Sequence, residues 1–253
     1  MFTLGAADLN TWLAGFFFPF VRIAALVMTA PILSDDSMPQ MVRAGLALAI
    51  TLVIAPALPI TAISPFSGAG IVLVLEQVLI GAAIGFAMQV AFAAVTLAGD
   101  MIGLQMGLSF ATFVDPEHNV STPVIGSFLS ILLMLYFLAM NGHLQMIAAL
   151  DDTFRSMPVA GGHLALADMG AILQAAGDIF SAGFRLALPV IATLLIANLT
   201  LGMLMRTAPQ VNLLAIGFPL TLSLGFIVLT LMLPSLSSNF DAVIARGLTA
   251  LHH

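Results

Sequence analysis

Six long apolar runs set the main constraint on what this chain can fold into. A helix needs about 20 largely apolar residues to cross a bilayer, and runs of this length are too long for the strands of an open sheet. The runs are Trp12–Leu33, Met41–Leu58, Ile71–Leu97, Val124–Met140, Ala171–Met205 and Val211–Leu233. The pattern predicts an all-α, polytopic hydrophobic protein of about six long apolar helices, with a break in the fifth run at Arg185 and Pro189.

The composition excludes the soluble classes of protein. Of the 253 residues, 61% are hydrophobic and 7% are charged, whereas a soluble domain carries roughly 25% charged residues. The formal net charge is −6, and the six basic residues are all Arg. They form no basic cluster, so we expect no nucleic-acid partner. The chain has no cysteine, which removes disulfides and thiolate metal sites.

The distribution of arginines does not give an orientation in the membrane. With six spans, Arg155 and Arg246 fall on one side and Arg43 and Arg206 on the other. An ordinary inner-membrane protein has an excess of basic residues on one side. Two interpretations of this tie stay open, insertion that is more complex than simple hairpins and the scatter of small numbers.

Three charged residues lie inside otherwise apolar runs. They are Arg22, Glu76 and Arg185, and each costs roughly 2.5–3.5 kcal/mol at the centre of a lipid-embedded helix. Each side chain should therefore face protein or water. They could form a proton or ion relay, or they could make structural pairs between helices or with a neighbouring subunit.

Glycines at four-residue spacing predict close helix packing. Gly81 and Gly85 form one pair, and Gly99, Gly103 and Gly107 form a longer series that would line one ridge of a helix. This series leads into a segment with Phe110 and Phe113 that ends at Asp115-Pro116. Such a bulky segment could plug a pore, or it could be a re-entrant loop packed into the core.

Sequence motifs for catalysis are absent. The chain has no G-x-S-x-G, H-E-x-x-H or G-x-x-x-x-G-K-[ST] motif. His118, His143 and His163 are too widely spaced for a local metal motif. We therefore expect no catalytic residue, no metal and no cofactor.

Two stretches combine polar residues, glycines and prolines in a distinctive order. The first runs from Ala98-Gly99-Asp100 through Gln105–Ala111 to Val114-Asp115-Pro116. The second, Arg206–Leu220, is longer and contains Arg, Pro, Gln, Asn, Gly and Pro in that order. Both stretches resemble the FliR family of flagellar type III export-gate proteins, and further matches are Arg22, Pro39 with Arg43, Glu76, and Asn141-Gly142-His143.

The resemblance implies an assembly of one FliR with several FliP and FliQ subunits, next to FlhB and FlhA, that exports unfolded flagellar proteins. It implies a FliP-like part over residues 1–170 and a FliQ-like helical hairpin over residues 171–253. It also implies a place in the bacterial inner membrane, in contact with membrane lipid at the flagellar basal body, with much of the assembly raised toward the periplasm.

The resemblance also assigns roles to residues. The pore plug would consist of Gly107, Leu108, Ser109, Phe110, Ala111, Phe113, Val114, Asp115 and Pro116. Helix packing and subunit interfaces would use Arg22, Arg43, Glu76, Gly99, Gly103, Arg206, Pro209, Asn212, Gly217 and Pro219.

Two alternatives to a flagellar export gate remain. An injectisome homologue belongs to the same family. A protein of a different class, an ion-coupled secondary transporter, would use Glu76 and Asp100 as coupling groups, and it often shows internal repeats that are not visible in this sequence.

Overall fold

The described part of the chain is helical. The computed structural model describes residues 6–35, 37–59, 63–108, 123–159, 166–207 and 213–249. Within these ranges there are seven α-helices, a short 3-10 helix at Ala55–Ala57 and no strand, which confirms the all-α prediction. The helices are α1 Ala6–Thr29, α2 Gln40–Ile54, α3 Gly68–Gln105, α4 Val124–Ala139, α5 Gly142–Ser156, α6 Leu166–Thr207 and α7 Leu213–Thr249.

The number of possible membrane spans agrees with the sequence. Five helices in the described ranges are long and apolar enough to cross a bilayer, and a sixth span results if α4 and α5 count as one broken span. Three helices are longer than one membrane span requires, since α3, α6 and α7 have 38, 42 and 37 residues. At 1.5 Å per residue they are about 55–63 Å long, compared with a hydrocarbon core about 30 Å thick. Even a strong tilt does not fit such a helix within one bilayer core.

The predicted break in the fifth apolar run is wrong. Helix α6 passes through Arg185 and Pro189 without interruption. Around the proline, one face of the helix stays buried, at Leu186, Val190 and Leu194.

Helix α5 was not predicted, because it is amphipathic and shorter than a span. Its buried face carries Met146, Leu150 and Phe154, while Asp152 and Arg155 are exposed. A search for long apolar runs does not detect this pattern, although the apolar spacing of four residues is typical of an amphipathic helix.

The chain divides into two compact units. The first comprises Met1–Val90, Asn141–Ala175 and Arg246–His253, and the second comprises Ala91–Met140 and Ala176–Ala245. Within the first unit, α3 packs closely on α1 at two glycines. A Cβ atom on Gly81 would lie 2.9 Å from the Ala25 Cβ, and one on Gly85 would lie 2.8 Å from the Ala30 backbone nitrogen. The glycine pair therefore serves packing within the chain.

The second unit is joined by aromatic and hydroxyl contacts. The Phe92 ring on α3 and the Phe137 ring on α4 meet edge to face, with 5.7 Å between their centroids. The Tyr136 hydroxyl donates a hydrogen bond of 2.6 Å to Asp241 Oδ1 on α7. These contacts connect α4 with its neighbours on two sides.

Hydroxyl groups on the exposed parts of α6 and α7 bond to their own helix. Thr193 Oγ1 donates to the Pro189 carbonyl and Thr200 Oγ1 to the Ile196 carbonyl, each at 2.8 Å. On α7, Ser223 Oγ and Thr230 Oγ1 donate to the carbonyls four residues earlier, each at 2.7 Å. Each hydroxyl hydrogen therefore has an acceptor within its own helix.

The glycine contacts of the first unit generate a prediction. Replacing Gly81 or Gly85 by Ala should lower the free energy of unfolding by about 1–3 kcal/mol, because the new methyl group meets backbone atoms of α1. Gly45→Ala is the matched control, since a Cβ atom there has no neighbour within 4 Å. The measurement is the thermal unfolding midpoint of the purified chain in mild detergent. Equal midpoints for Gly85→Ala and Gly45→Ala would contradict the packing described here.

Candidate functional site

Helix α3 ends in a hydrogen-bonded stop immediately before the predicted plug. The Leu108 N–H donates to the Gly103 carbonyl at 3.0 Å, and the Gly107 N–H donates to the Leu104 carbonyl at 3.1 Å. This pair of bonds is a Schellman motif. It requires a left-handed residue, and Gly107 has a φ of 84°. Gly107 is therefore the helix stop, and it does not extend the ridge of Gly99 and Gly103.

Most of the predicted plug lies outside the described residues. The structure describes Gly107 and Leu108 of that segment. The remaining plug residues, Ser109, Phe110, Ala111, Phe113, Val114, Asp115 and Pro116, lie outside the described ranges. The structure therefore fixes the point at which the segment leaves α3.

The C-terminal end of α3 is held by α7. Met106 is fully buried, and the Thr221 hydroxyl, which has the Phe218 carbonyl of its own helix at 3.1 Å, also lies 3.4 Å from the Met106 carbonyl. Four residues along α7, a Cβ atom on Gly225 would lie 2.6 Å from Met106 Cγ, so the absent side chain makes room for the methionine. Thr221 and Gly225 were not predicted as packing residues, since their only signal in the sequence is two small residues four positions apart.

The glycine ridge of α3 faces the beginning of α4. A Cβ atom on Gly99 would lie 2.5 Å from the Gly126 Cα, so the two backbones meet through glycines on both sides. One turn later, a Cβ atom on Gly103 would lie 3.7 Å from Ile125 Cγ1, an ordinary contact distance. The closest approach is thus at Gly99, and its partner Gly126 was missed because a single glycine in an apolar run has no spacing pattern.

Arg22 is the centre of a buried polar cluster that joins three helices. Its side chain has no exposed surface. The Nε–H donates to Gln77 Oε1 at 2.8 Å, and Nη1 donates to the Thr153 carbonyl and hydroxyl at 3.0 and 3.2 Å. Nη2 donates to the Met157 carbonyl at 2.9 Å. One side chain of α1 is thereby bonded to α3 and to the C-terminal end of α5.

Among the residues that the structure describes, the charge of Arg22 is balanced without a carboxylate. Its hydrogen-bond acceptors are all neutral, and two of them are carbonyls at the C-terminal end of α5, where the helix dipole is negative. The guanidinium also lies over the Phe154 ring, 4.2 Å from its centroid. The position of Arg22 in an apolar run predicts that its side chain needs partners, but nothing in the sequence marks Gln77, Thr153 or Met157 as those partners.

Arg43 orders the connection between α1 and α2. Its Nη2 donates to the Asp35 carbonyl, eight residues earlier in the chain. The Ser37 side chain and its backbone N–H, which donates to Asp35 Oδ1 at 2.8 Å, lower the pKa of the exposed Asp35 carboxyl, and Arg43 adds a smaller contribution. Arg43 thus stabilises this turn through a hydrogen bond to its backbone.

The other residues predicted for helix packing and subunit interfaces lie on different helices or outside the described residues. Glu76 is half-buried on α3, Arg206 is exposed in the last turn of α6, Gly217 is buried on α7, and Pro219 is exposed within α7. Pro209 and Asn212 lie outside the described residues. Among the residues that the structure describes, no group of three or more His, Asp or Glu side chains could hold a metal ion.

Comparison with known proteins shows similarity over nearly the whole chain. The family model described as bacterial export proteins, family 1, matches residues 13–247. The flagellar biosynthetic protein FliR of Pectobacterium carotovorum subsp. carotovorum is 46% identical over 92% of this chain and 90% of its own length. The protein of the same name from Escherichia coli strain K12 is 48% identical over 88% of this chain and 86% of its own length.

A more distant relative shows similar coverage. The flagellar biosynthetic protein FliR of Bacillus subtilis strain 168 is 28% identical over 217 residues, which cover 85% of this chain and 84% of the relative. Even at this lower identity, the similarity therefore extends over most of both chains.

The buried arginine cluster generates a prediction. Arg22→Lys should lower the free energy of unfolding by about 3 kcal/mol, because one ammonium group cannot reach acceptors on both α3 and α5. Arg155→Lys is the control, since the Arg155 side chain is 76% exposed and its ion pair with Asp151 is at the surface. Thermal unfolding in mild detergent measures both variants. If Arg22→Lys were as stable as Arg155→Lys, the cluster would not be what holds α5 in place.

Proposed function

Because the chain belongs to the FliR family of bacterial export proteins, we propose that it is a subunit of the flagellar export gate that forms, with FliP and FliQ, the conduit for unfolded flagellar proteins. The observation that carries this proposal is the match of residues 13–247 to the family, together with relatives named for flagellar biosynthesis at 46% and 48% identity. The chain is a flagellar export protein with helices that can span a membrane. Our proposal is that it forms the conduit together with FliP and FliQ.

Exposed apolar surface supports a role within a larger assembly. Large hydrophobic side chains are exposed along α2 and α7, for example Met41 at 89%, Val53 at 79% and Leu231 at 75%. Such surface must be covered by lipid or by other protein. We assign part of it to FliP and FliQ, with FlhB and FlhA as further partners of the assembly.

The proposed gating element is the segment that follows α3. Phe110 and Phe113 would seal the pore against ions as a hydrophobic constriction, and the segment would move when an unfolded substrate arrives. Gly107 and Leu108 would be its fixed end. The chain itself would contribute no catalytic step, and the energy for export would come from other components.

The lengths of α3, α6 and α7 support the proposed location. A helix of about 55–63 Å extends well beyond one hydrocarbon core, in keeping with a gate at the basal body that is raised from the inner membrane toward the periplasm. In this proposal residues 1–170 form the FliP-like part, and α6 and α7 supply the FliQ-like hairpin of residues 171–253.

Assembly is the first test of the proposal. We expect that co-expression with FliP and FliQ from the same source, purification through a tag on this chain and native mass determination give one large species with a single copy of this chain. A folded, monodisperse chain that purifies alone would contradict the proposal and favour the ion-coupled transporter. In that case Glu76→Gln should abolish transport.

The plug is tested separately. Deletion of residues 109–115 should make the assembly leaky to ions while the native mass remains that of the intact assembly minus seven residues. The measurement is ion flux through the purified assembly in liposomes, with Arg155→Lys, a change in an exposed ion pair of α5, as a control that should not leak. An assembly that stays tight after the deletion would disprove the plug assignment and leave the subunit role intact.

A further inference from the structure

Three helices of the second unit each contact α3 through a buried glycine. The glycines are Gly126 on α4, Gly183 on α6 and Gly225 on α7, and we call them the glycine clamp. At each of them a Cβ atom would lie under 3.0 Å from an atom of α3 or of the residue that follows it, which is closer than side chains pack in folded proteins. The three helices therefore approach α3 more closely than a residue with a side chain would allow.

The contacts of the clamp follow one another along the end of α3. The contact with α6 is at Ala94, whose carbonyl oxygen would lie 2.7 Å from a Cβ atom on the facing glycine. The contact with α4 is at Gly99, and the contact with α7 is at Met106. Ala94 and Met106 are 12 positions apart, which is about 18 Å along a helix. The clamp therefore holds the last three turns of α3.

The face of α3 within the clamp is fully packed. Every fourth residue on it is buried, with 2%, 0%, 2% and 0% of the residue exposed at Ala94, Ala98, Ile102 and Met106. Because protein interiors are close-packed, a buried segment of this kind does not shift without displacing its neighbours. The position of the end of α3 is therefore set by α4, α6 and α7 together.

The clamp ends where the proposed plug begins. Gly107 stops the helix in the left-handed conformation, and the Leu108 N–H bonds back to the Gly103 carbonyl at 3.0 Å. These bonds fix the direction in which the chain leaves α3. The segment after Leu108 thus starts from a point that lies two residues beyond the last contact of the clamp.

Glycines outside the clamp differ from it in one of two ways. Gly177 and Gly202 lie on the same helix as Gly183, but they are exposed, and a Cβ atom on either would have no neighbour within 4 Å. Gly81 and Gly85 on α3 are closely packed, but on α1 in the first unit. The chain therefore supplies controls for the glycine substitution itself and for a clash far from the plug.

We propose that the glycine clamp positions the plug. By fixing the last turns of α3, it holds the segment after Leu108 in the closed pore, and forcing one clamp helix away from α3 opens the pore to ions without substrate. The proposal rests on the proposed function, in which that segment is the plug. It adds Gly126, Gly183 and Gly225 as positioning residues that lie outside the plug itself.

Ion flux through the purified assembly with FliP and FliQ in liposomes tests the clamp. Gly183→Ala and Gly99→Ala each place a methyl group against backbone atoms of the facing helix. Each should raise the ion flux about tenfold, because overpacking of this kind shifts a two-state equilibrium by roughly one order of magnitude. The controls Gly177→Ala and Gly202→Ala should leave the flux unchanged. Native mass determination shows whether each assembly is intact.

Gly85→Ala separates positioning from general destabilisation. It places a methyl group 2.8 Å from the Ala30 backbone nitrogen, a clash with backbone like that of Gly183→Ala, but 22 positions before the helix stop at Gly107. It should lower the thermal unfolding midpoint as Gly183→Ala does and leave the ion flux unchanged. If both variants leak equally, or if neither leaks, the clamp serves packing only and the proposal is wrong.

An exchange across the α7 contact decides the question if the single glycine variants do not assemble. Met106→Ala adds no clash, and it should leak because it leaves unfilled space beside Gly225. Adding Gly225→Val to Met106→Ala restores nearly the lost volume and should return the flux toward that of the unmodified assembly. A Met106→Ala assembly that stays tight, or a double variant that leaks as strongly as Met106→Ala, would each overturn the proposal.

Deletion of residues 109–115 distinguishes failure of this inference from failure of the proposed function. If the deletion leaks while the clamp variants stay tight, the plug stands and the clamp does not position it. If the deletion also stays tight, the plug assignment is wrong, and this inference is wrong with it. If the unmodified chain forms no assembly with FliP and FliQ, the proposed function itself is wrong.

Discussion

The first unit depends on one buried cation. Arg22 has no contact with solvent, and its hydrogen bonds connect α1 with α3 and with the C-terminal end of α5. Because the acceptors are neutral, the positive charge is compensated by carbonyl dipoles and a ring face. An amphipathic helix is thereby fixed against two apolar ones by directional bonds, which hydrophobic packing alone does not supply. The close packing of α3 on α1 at Gly81 and Gly85 brings Gln77 within reach of the same guanidinium.

Sequence reasoning predicted the helices through their length and apolar content, since these two properties follow directly from the thickness of a bilayer. The prediction was wrong at one proline and missed one helix. A break was expected at Pro189, but α6 continues through it, and Val190 and Leu194 beside it are buried. Helix α5 escaped detection because its apolar residues are spread over one face.

In the candidate site, too, some residues could be predicted from the sequence and their partners could not. Arg22 and the glycines stood out because a charge in an apolar run and a four-residue spacing are visible in one dimension. Their partners were not visible, because Gln77, Gly126 and Thr221 are ordinary residues until folding places them opposite a guanidinium, a glycine or a carbonyl group. Gly107 was predicted as a plug residue, and its positive φ also makes it the stop of α3, a role that depends on backbone conformation and has no signal in the spacing of the glycines.

The hydroxyl groups of α6 and α7 have a consequence for the order of biogenesis. Thr193, Thr200, Ser223 and Thr230 already donate to carbonyls of their own helix. In a newly inserted chain that is surrounded by lipid, before any other subunit is present, these hydroxyl groups therefore leave no donor unsatisfied. Later replacement of lipid by protein at these four positions therefore requires no new hydrogen bond from the hydroxyl groups.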